Sequence, residues 1–193
     1  QPGSDRNLVA KAANRYAELY GMYDLLVMVD VDGKVVAVND RDAAGKPLDT
    51  AWLYTKSFAG ASWFKDALAG HTLDTALLKG TVVQDAYFDE DVKRAYGSDG
   101  LVIGFSAVVR DDEGRVIGVW NNRARFSLVE DIVKTAYQDL KRQNFGSSEL
   151  TVVDRRGLVL VDYDPTTKGT EEVTHDPKVL LTLNLAASGV DAA

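Results

Sequence analysis

LVIGFSAVVRDDEGRVIGVWNNRAR, residues 101–125, is the stretch from which the fold is read. Two runs rich in Val, Ile and Phe flank the polar segment Arg110-Asp111-Asp112-Glu113-Gly114-Arg115, which predicts two long antiparallel strands joined by a short loop. In the first run Leu101, Ile103, Phe105, Ala107 and Val109 alternate with Val102, Gly104, Ser106, Val108 and Arg110. Both sets are largely apolar, so the strand belongs inside a sheet covered on at least one side. The second run changes character at its end. Trp120-Asn121-Asn122-Arg123 sets an aromatic ring, amides and a cation after a purely apolar first half, and a ligand is expected at that corner.

Upstream, residues 81–88 read as a strand and residues 89–100 as a charged excursion. Ser62 is placed to cap a short helix through Leu68 that Gly70 closes. Residues 40–61 are polar, with Trp52, Tyr54 and Phe58 interspersed, and read as a long loop with a helical turn packed down by its rings. Before it, VMVDVDGKVVAVN predicts a strand, an Asp-Gly turn and a second strand. Leu8, Val9, Ala12, Ala13, Tyr16, Leu19, Tyr20 and Tyr23 recur every three or four residues, which predicts a long N-terminal helix capped by Ser4 with Asp5 and puts these residues on one helical face. Downstream, Leu128, Val129, Ile132, Val133, Ala136, Tyr137 and Leu140 keep the same spacing, with Ser127 as cap and Gly146 as stop. A second hairpin, LTVVDRRGLVLV, follows that helix as the first follows its own, so helix, strand, Asp-x-x-Gly turn and strand occur twice. After Gly169 come a Thr/Glu-rich linker and an amphipathic segment at 177–185, too few strands to close another sheet.

The chain of 193 residues is 46% apolar and long enough for one well-buried core plus part of a second. A net charge of -7 without Lys/Arg clusters argues against a nucleic-acid partner. No apolar run approaches the roughly 20 residues of a membrane span. If the chain comes from a membrane receptor, its anchors lie outside this stretch. There is no Cys, which removes disulfides and thiolate metal sites, and His71 and His175 stand far apart without a zinc-binding pairing. Asp30, Asp32, Asn39, Asp162 and Asp164 lack the spacing of a calcium loop and read as turn formers. Phe105-Ser106-Ala107 lies within a strand and is no nucleophile elbow, and no dinucleotide or phosphate-loop glycine motif occurs. Neither an enzyme nor a cofactor is expected.

The order of elements resembles the double Cache sensor domain, the extracytoplasmic ligand-binding region of many bacterial methyl-accepting chemotaxis receptors. The resemblance is carried by VMVDVDGKVVAVN, by Ala61-Ser62-Trp63-Phe64-Lys65-Asp66-Ala67-Leu68, by Gln84-Asp85-Ala86-Tyr87, and by Ser106-Ala107-Val108-Val109-Arg110 through Gly118-Val119. It implies an α+β fold with a long N-terminal helix (4–23), a membrane-distal PAS-like antiparallel module that binds ligand (24–125), a connecting helix (126–146) and an incomplete membrane-proximal module (147–193). It also implies a periplasmic sensor of an inner-membrane receptor, homodimeric when intact. Amino-acid-binding members hold the ligand carboxylate with an Arg two residues before the Trp and a Tyr five residues before that Arg. Ala61 and Lys56 occupy those positions here. The family's first Asp for the ligand amine falls at Asp85 and its second near Arg123, a cation that would repel an ammonium by several kcal/mol at short range.

The expected ligand is therefore a small organic anion, a carboxylate, and not an α-amino acid. Trp63, Phe64, Tyr87, Phe105 and Trp120 would wall the pocket, and Lys56, Asn122 and Arg123 would donate to the anion, Arg through its paired parallel N–H groups. The bland reading makes the rings core and pairs Arg123 with Asp85 or with solvent. Other functional readings are the sensor of a histidine kinase or diguanylate cyclase, and a small hydrolase, which would show a buried carboxylate pair in its cleft.

Overall fold

Strands β4 (Leu101–Arg110) and β5 (Val116–Arg125) form the central hairpin. The computed structural model describes residue 3, residues 5–76 and residues 78–187, which fall in two compact units, Gln1–Arg125 and Phe126–Ala193. In the first unit β1 (Tyr23–Asp30), β2 (Val35–Val38) and β3 (Val82–Phe88) join the hairpin in one antiparallel sheet of order β2-β1-β5-β4-β3. The fold is α+β, as the alternation of elements predicts.

The β4–β5 loop is held by one carboxylate. Asp111 Oδ1 accepts from the amides of Glu113 at 3.1 Å and Arg115 at 2.8 Å, while Gly114 N–H donates to Asp111 O at 3.0 Å. Asp30 with Gly33, Asp42 with Gly45, and Asp154 with Gly157 repeat this bonding. The last position needs φ > 0, +81° at Gly114, which Gly adopts without a Cβ penalty. At Gly33 a Cβ would also lie 2.4 Å from Ala59 N. Its absence lets the following loop press onto the hairpin, where Phe58 N–H donates to Gly33 O at 2.7 Å and the ring enters the core.

One sheet face carries the main core: Leu25, Val27, Val29, Val102 and Val119 against Trp63, Phe64 and Ala67 of helix α2 (Ser62–Ala69), with Leu53 and Phe58 from the intervening loop. Burial of each such Leu, Val or Phe contributes about 1.5–3 kcal/mol. The loop contains a 3₁₀ turn, Ala51–Thr55. Helix α3 (Glu90–Tyr96), where only a charged excursion was expected, begins at Asp89, whose Oδ1 accepts from the amides of Asp91 and Val92, both at 2.9 Å. Acidic residues in its first turn and Lys93 and Arg94 in its last complement the helix dipole, so its charges favour a helix.

Helix α1 (Leu8–Tyr20) lies on the other face. Its cap is Asn7, whose Oδ1 accepts from Val9 and Ala10 N–H; Ser4 lies outside the described residues. The buried edge is Ala10, Ala13 and Ala17, and Leu8 and Leu19 are 83% and 68% exposed, contrary to the apolar face expected from spacing. Trp120 and Tyr23 occupy that sheet face, leaving room beneath the helix for methyl groups.

In the second unit α4 (Ser127–Arg142) buries Glu130, Val133 and Tyr137. Ser62 and Ser127, expected as caps, are the first helical residues, behind Ala61 and Phe126. Gly146 does not stop α4. Asn144 does, at φ +68°, with Phe145 N–H donating to Leu140 O and Asn144 N–H to Lys141 O. Strands β6 (Leu150–Val153) and β7 (Val159–Tyr163) pair, the short helix α5 (Pro165–Lys168) follows, and the 181–185 segment bonds back to Gly157 and Val159. His175 Nε2 meets the buried Glu130 Oε1 at 2.5 Å.

Candidate ligand-binding site

Successive strand residues point to opposite faces, so the corner at Trp120–Arg123 is divided between them. Asn121 and Arg123 lie opposite Val27 and Leu25 on the α2 face. Trp120 and Asn122 lie on the α1 face, and Phe105, directly opposite Asn122 in the register, joins them. Those three expected pocket residues therefore do not share a site with Arg123.

On the α2 face a hollow of about 360 Å³ is lined by Lys56, Phe58, Ala61, Trp63, Tyr87, Asp89, Asp91 and Arg123, with Ser57, Gly60, Phe88 and Glu90 at its edge. Arg123 is 1% exposed. Its Nε donates to Asp89 Oδ2 at 2.7 Å and its Nη2 to Asp91 Oδ2 at 3.5 Å, while Lys56 Nζ donates to Asp91 Oδ1 at 2.5 Å. Asp89 serves twice, capping α3 with one oxygen and holding Arg123 with the other. The Phe58 ring lies beneath both cations, 4.9 Å from Lys56 Nζ and 5.5 Å from Arg123 Cζ, and packs on Trp63 at 5.4 Å. Arg123 Nη1 is buried and has no hydrogen-bond partner.

The expected positively charged corner is thus neutralised in place, Lys56 and Arg123 against Asp89 and Asp91. The partner expected for Arg123 in the bland reading, Asp85, does not line the hollow; it sits where the β3–β4 register shifts between Gln84 and Tyr87. Phe64 does not line it either, being core behind Trp63. Lys56, Trp63, Tyr87 and Arg123 are the sequence-predicted residues that the structure brings together. Phe58, Asp89 and Asp91 were missed. The signal for the two acids was available: an Asp followed by Glu and Asp, with Gly97 one turn beyond Lys93 and Arg94, is a helix start and stop. Burial pushes the Tyr87 phenol up to about 12, the Arg123 cation pulling down and the Asp89 carboxylate pushing up further.

A second hollow, about 470 Å³, lies on the α1 face and is lined by Tyr16, Tyr20, Tyr23, Leu26, Val109, Trp120 and Asn122. A wider depression of about 1110 Å³ runs along α1, where Leu8 and Leu19 are solvated. Among the described residues no group of three or more His, Asp or Glu side chains is placed to hold a metal.

A five-stranded antiparallel sheet with α1 on one face and a hollow under α2 and α3 on the other is a fold shared with solved bacterial sensor domains. The ligand-binding domain of the Pseudomonas aeruginosa amino-acid chemoreceptor PctC, solved with GABA, is similar at TM-score 0.50 and 17% identity over 90% of this chain and 62% of that one. The sensor domain of the Vibrio cholerae histidine kinase DctB is similar at TM-score 0.51 and 15% identity, over 93% of this chain and 62% of that one. The chain therefore spans under two thirds of the length of these structures, and at such identities the likeness is one of fold. No family model and no curated protein matches the sequence.

Proposed function

We propose that this chain is the extracytoplasmic ligand-binding sensor region of a bacterial transmembrane receptor, and that the hollow between α2, α3 and β5 binds a small carboxylate. The observation that carries this reading is the buried Arg123 whose Nη1 lacks an acceptor beside a hollow. Leaving such a donor unpaired costs about 1–3 kcal/mol, which a carboxylate oxygen would recover. Lys56, 40% exposed at the rim and already bonded to Asp91, has further N–H groups to turn toward the same anion. Asp89, Asp91 and Glu90 offset both cations, so a second negative charge on the ligand would be repelled and affinity rests on the hydrogen bond to Arg123 Nη1.

A hydrolase is not favoured, although Asp89 and Asp91 form a buried carboxylate pair. All four oxygens are engaged, by the α3 amides, Arg123 and Lys56, so neither acid is poised to exchange a proton with a substrate. Ligand bound to Arg123 and Lys56 rests on the two side chains that tie α3 to the sheet and to the 3₁₀ loop. A ligand that prefers one arrangement of these elements shifts the population toward it. The intact receptor would be a homodimer with a chemotaxis output, or equally a kinase output, since the DctB likeness matches that to PctC. No helix among the described residues is long and apolar enough to cross a membrane.

The test is calorimetric titration with acetate, propionate, butyrate and lactate, on the wild type and on Lys56→Met and Arg123→Lys. Binding weakened about ten-fold or more in both variants is expected. A folded wild type that binds none of these acids, or variants that bind them as well as wild type does, would overturn the reading.

A further inference from the structure

The hollow under α1 is walled by rings in two orientations. Tyr16 and Tyr20, one turn apart on the helix, lie nearly parallel, with 14° between their planes and centroids 6.0 Å apart. Trp120 stands at 80° to Tyr16 and Tyr23 at 68° to Tyr20, at 6.4 and 6.0 Å. The tyrosine pair is thus one panel and the other two rings are panels set across it, braced against one another by the fold itself. All four line the same space of about 470 Å³, room for a small ligand, and Tyr16 and Tyr20 are 46% and 56% exposed, so it is reached from solvent.

The charge around these rings singles out the ligand. Among the described residues no Lys, Arg, Asp or Glu lines the hollow. Elsewhere the chain seats its own cations on rings, Lys56 and Arg123 over Phe58 and Arg94 over Trp52; among the described residues none is seated over Tyr16, Tyr20, Tyr23 or Trp120. Four rings with negative π faces, in a chain of net charge -7, attract a cation from outside. A primary ammonium would bring N–H groups that no carboxylate there meets, and the Asn122 amide oxygen already accepts from Trp120 Nε1 at 2.5 Å. A quaternary ammonium has no N–H to satisfy, so the rings can replace the water around its methyl groups.

We infer that the α1 face holds a second binding site, separate from the hollow under α2 and α3, that takes quaternary ammonium compounds into the box formed by Tyr16, Tyr20, Tyr23 and Trp120. Its selection is opposite in charge to that of the Arg123 site, so the two faces of one sheet receive different ligands. The inference does not depend on the carboxylate reading.

Three matched probes isolate the effect: choline, ethanolamine, and dimethylbutanol, a neutral molecule with a tert-butyl group in place of the trimethylammonium. They are titrated calorimetrically into the whole chain as wild type, Tyr20→Leu and Trp120→Leu, in about 0.15 M salt, which screens attraction by the net charge alone. Choline is expected to bind wild type about ten-fold or more tighter than either other probe, and to lose about three-fold or more when one ring is removed. Tyr20 is exposed, so its variant keeps the test readable should Trp120→Leu fail to fold. Dimethylbutanol binding as tightly as choline would make the hollow merely apolar and overturn the inference. Ethanolamine binding as tightly as choline, or choline affinity unchanged in folded Tyr20→Leu, would overturn it too. So would a folded wild type that does not bind choline, whether or not sedimentation shows a second copy of the chain covering the rings. None of these results bears on the carboxylate site.

Discussion

The two faces of the five-stranded sheet enclose hollows of similar size by opposite means. Under α2 and α3, about 360 Å³ is bounded by five charged side chains, and buried polar atoms beside it lack partners. Under α1, about 470 Å³ is bounded by four rings, Leu26, Val109 and one amide, and Trp120 Nε1 donates to Asn122 Oδ1 at 2.5 Å. Tyr16 stacks on Tyr20 at 6.0 Å and meets Trp120 edge-on at 6.4 Å, contacts that close the aromatic side upon itself. The difference is one of chemistry more than of volume: the smaller hollow borders a buried donor without an acceptor, whereas among the described residues no lining atom of the larger one is buried and unpaired.

This contrast is broken most directly by Arg123→Leu. Asp89 and Asp91 would remain buried without their cation, a loss of about 3–5 kcal/mol read from urea unfolding. A loss below about 1 kcal/mol would mean that the acids are solvated and the faces alike.

A smaller effect tests the burial of Tyr87. Its phenol stays protonated up to about 12 in the fold, whereas the unfolded chain releases that proton near the ordinary tyrosine value of about 10. The contribution is complete below the unfolded value and fades as pH climbs through that window, at about 1.4 kcal/mol per pH unit for one phenol. Unfolding free energy against pH in wild type and Tyr87→Phe checks it; identical slopes above pH about 10 would place the phenol in water.

The smallest effect belongs to the α1 face. Asn122→Ala removes the acceptor of Trp120 Nε1 at a cost of about 1 kcal/mol and leaves carboxylate affinity at the wild-type value. A variant that folds but loses the ligand would join the two hollows into one functional site.

How much of this was legible depended on the range of the interactions involved. The hairpins could be read because β-branched runs and Asp-x-x-Gly turns act within a few residues. The site could be read in part. Trp63 and Arg123 stood out by type, but grouping Trp120, Asn122 and Arg123 overlooked the period of two along a strand, which sends Arg123 away from its neighbours. Asp85 is a site residue only by the family resemblance; the β3–β4 register shifts there, and the acids that do meet Arg123 come at the strand end, at Asp89 and Asp91. On α1 the periodicity was real but pointed the wrong way. Small residues won the inner edge because the opposing sheet face already held large rings, a tertiary fact that spacing along one helix does not contain.

The four aspartate-held turns also bear on the order of assembly. Each is complete within five consecutive residues, so its hairpin can close on the order of microseconds without help from the rest of the chain. The seam between β1 and β5 has no such shortcut, because Leu25 meets Arg123 only after nearly the whole first unit has been looped out. Folding kinetics should therefore show substitutions in the turns slowing the forward reaction and Leu25→Ala chiefly accelerating the reverse one. If that holds, the strand pair that seats the buried arginine is the last part of the sheet to be joined.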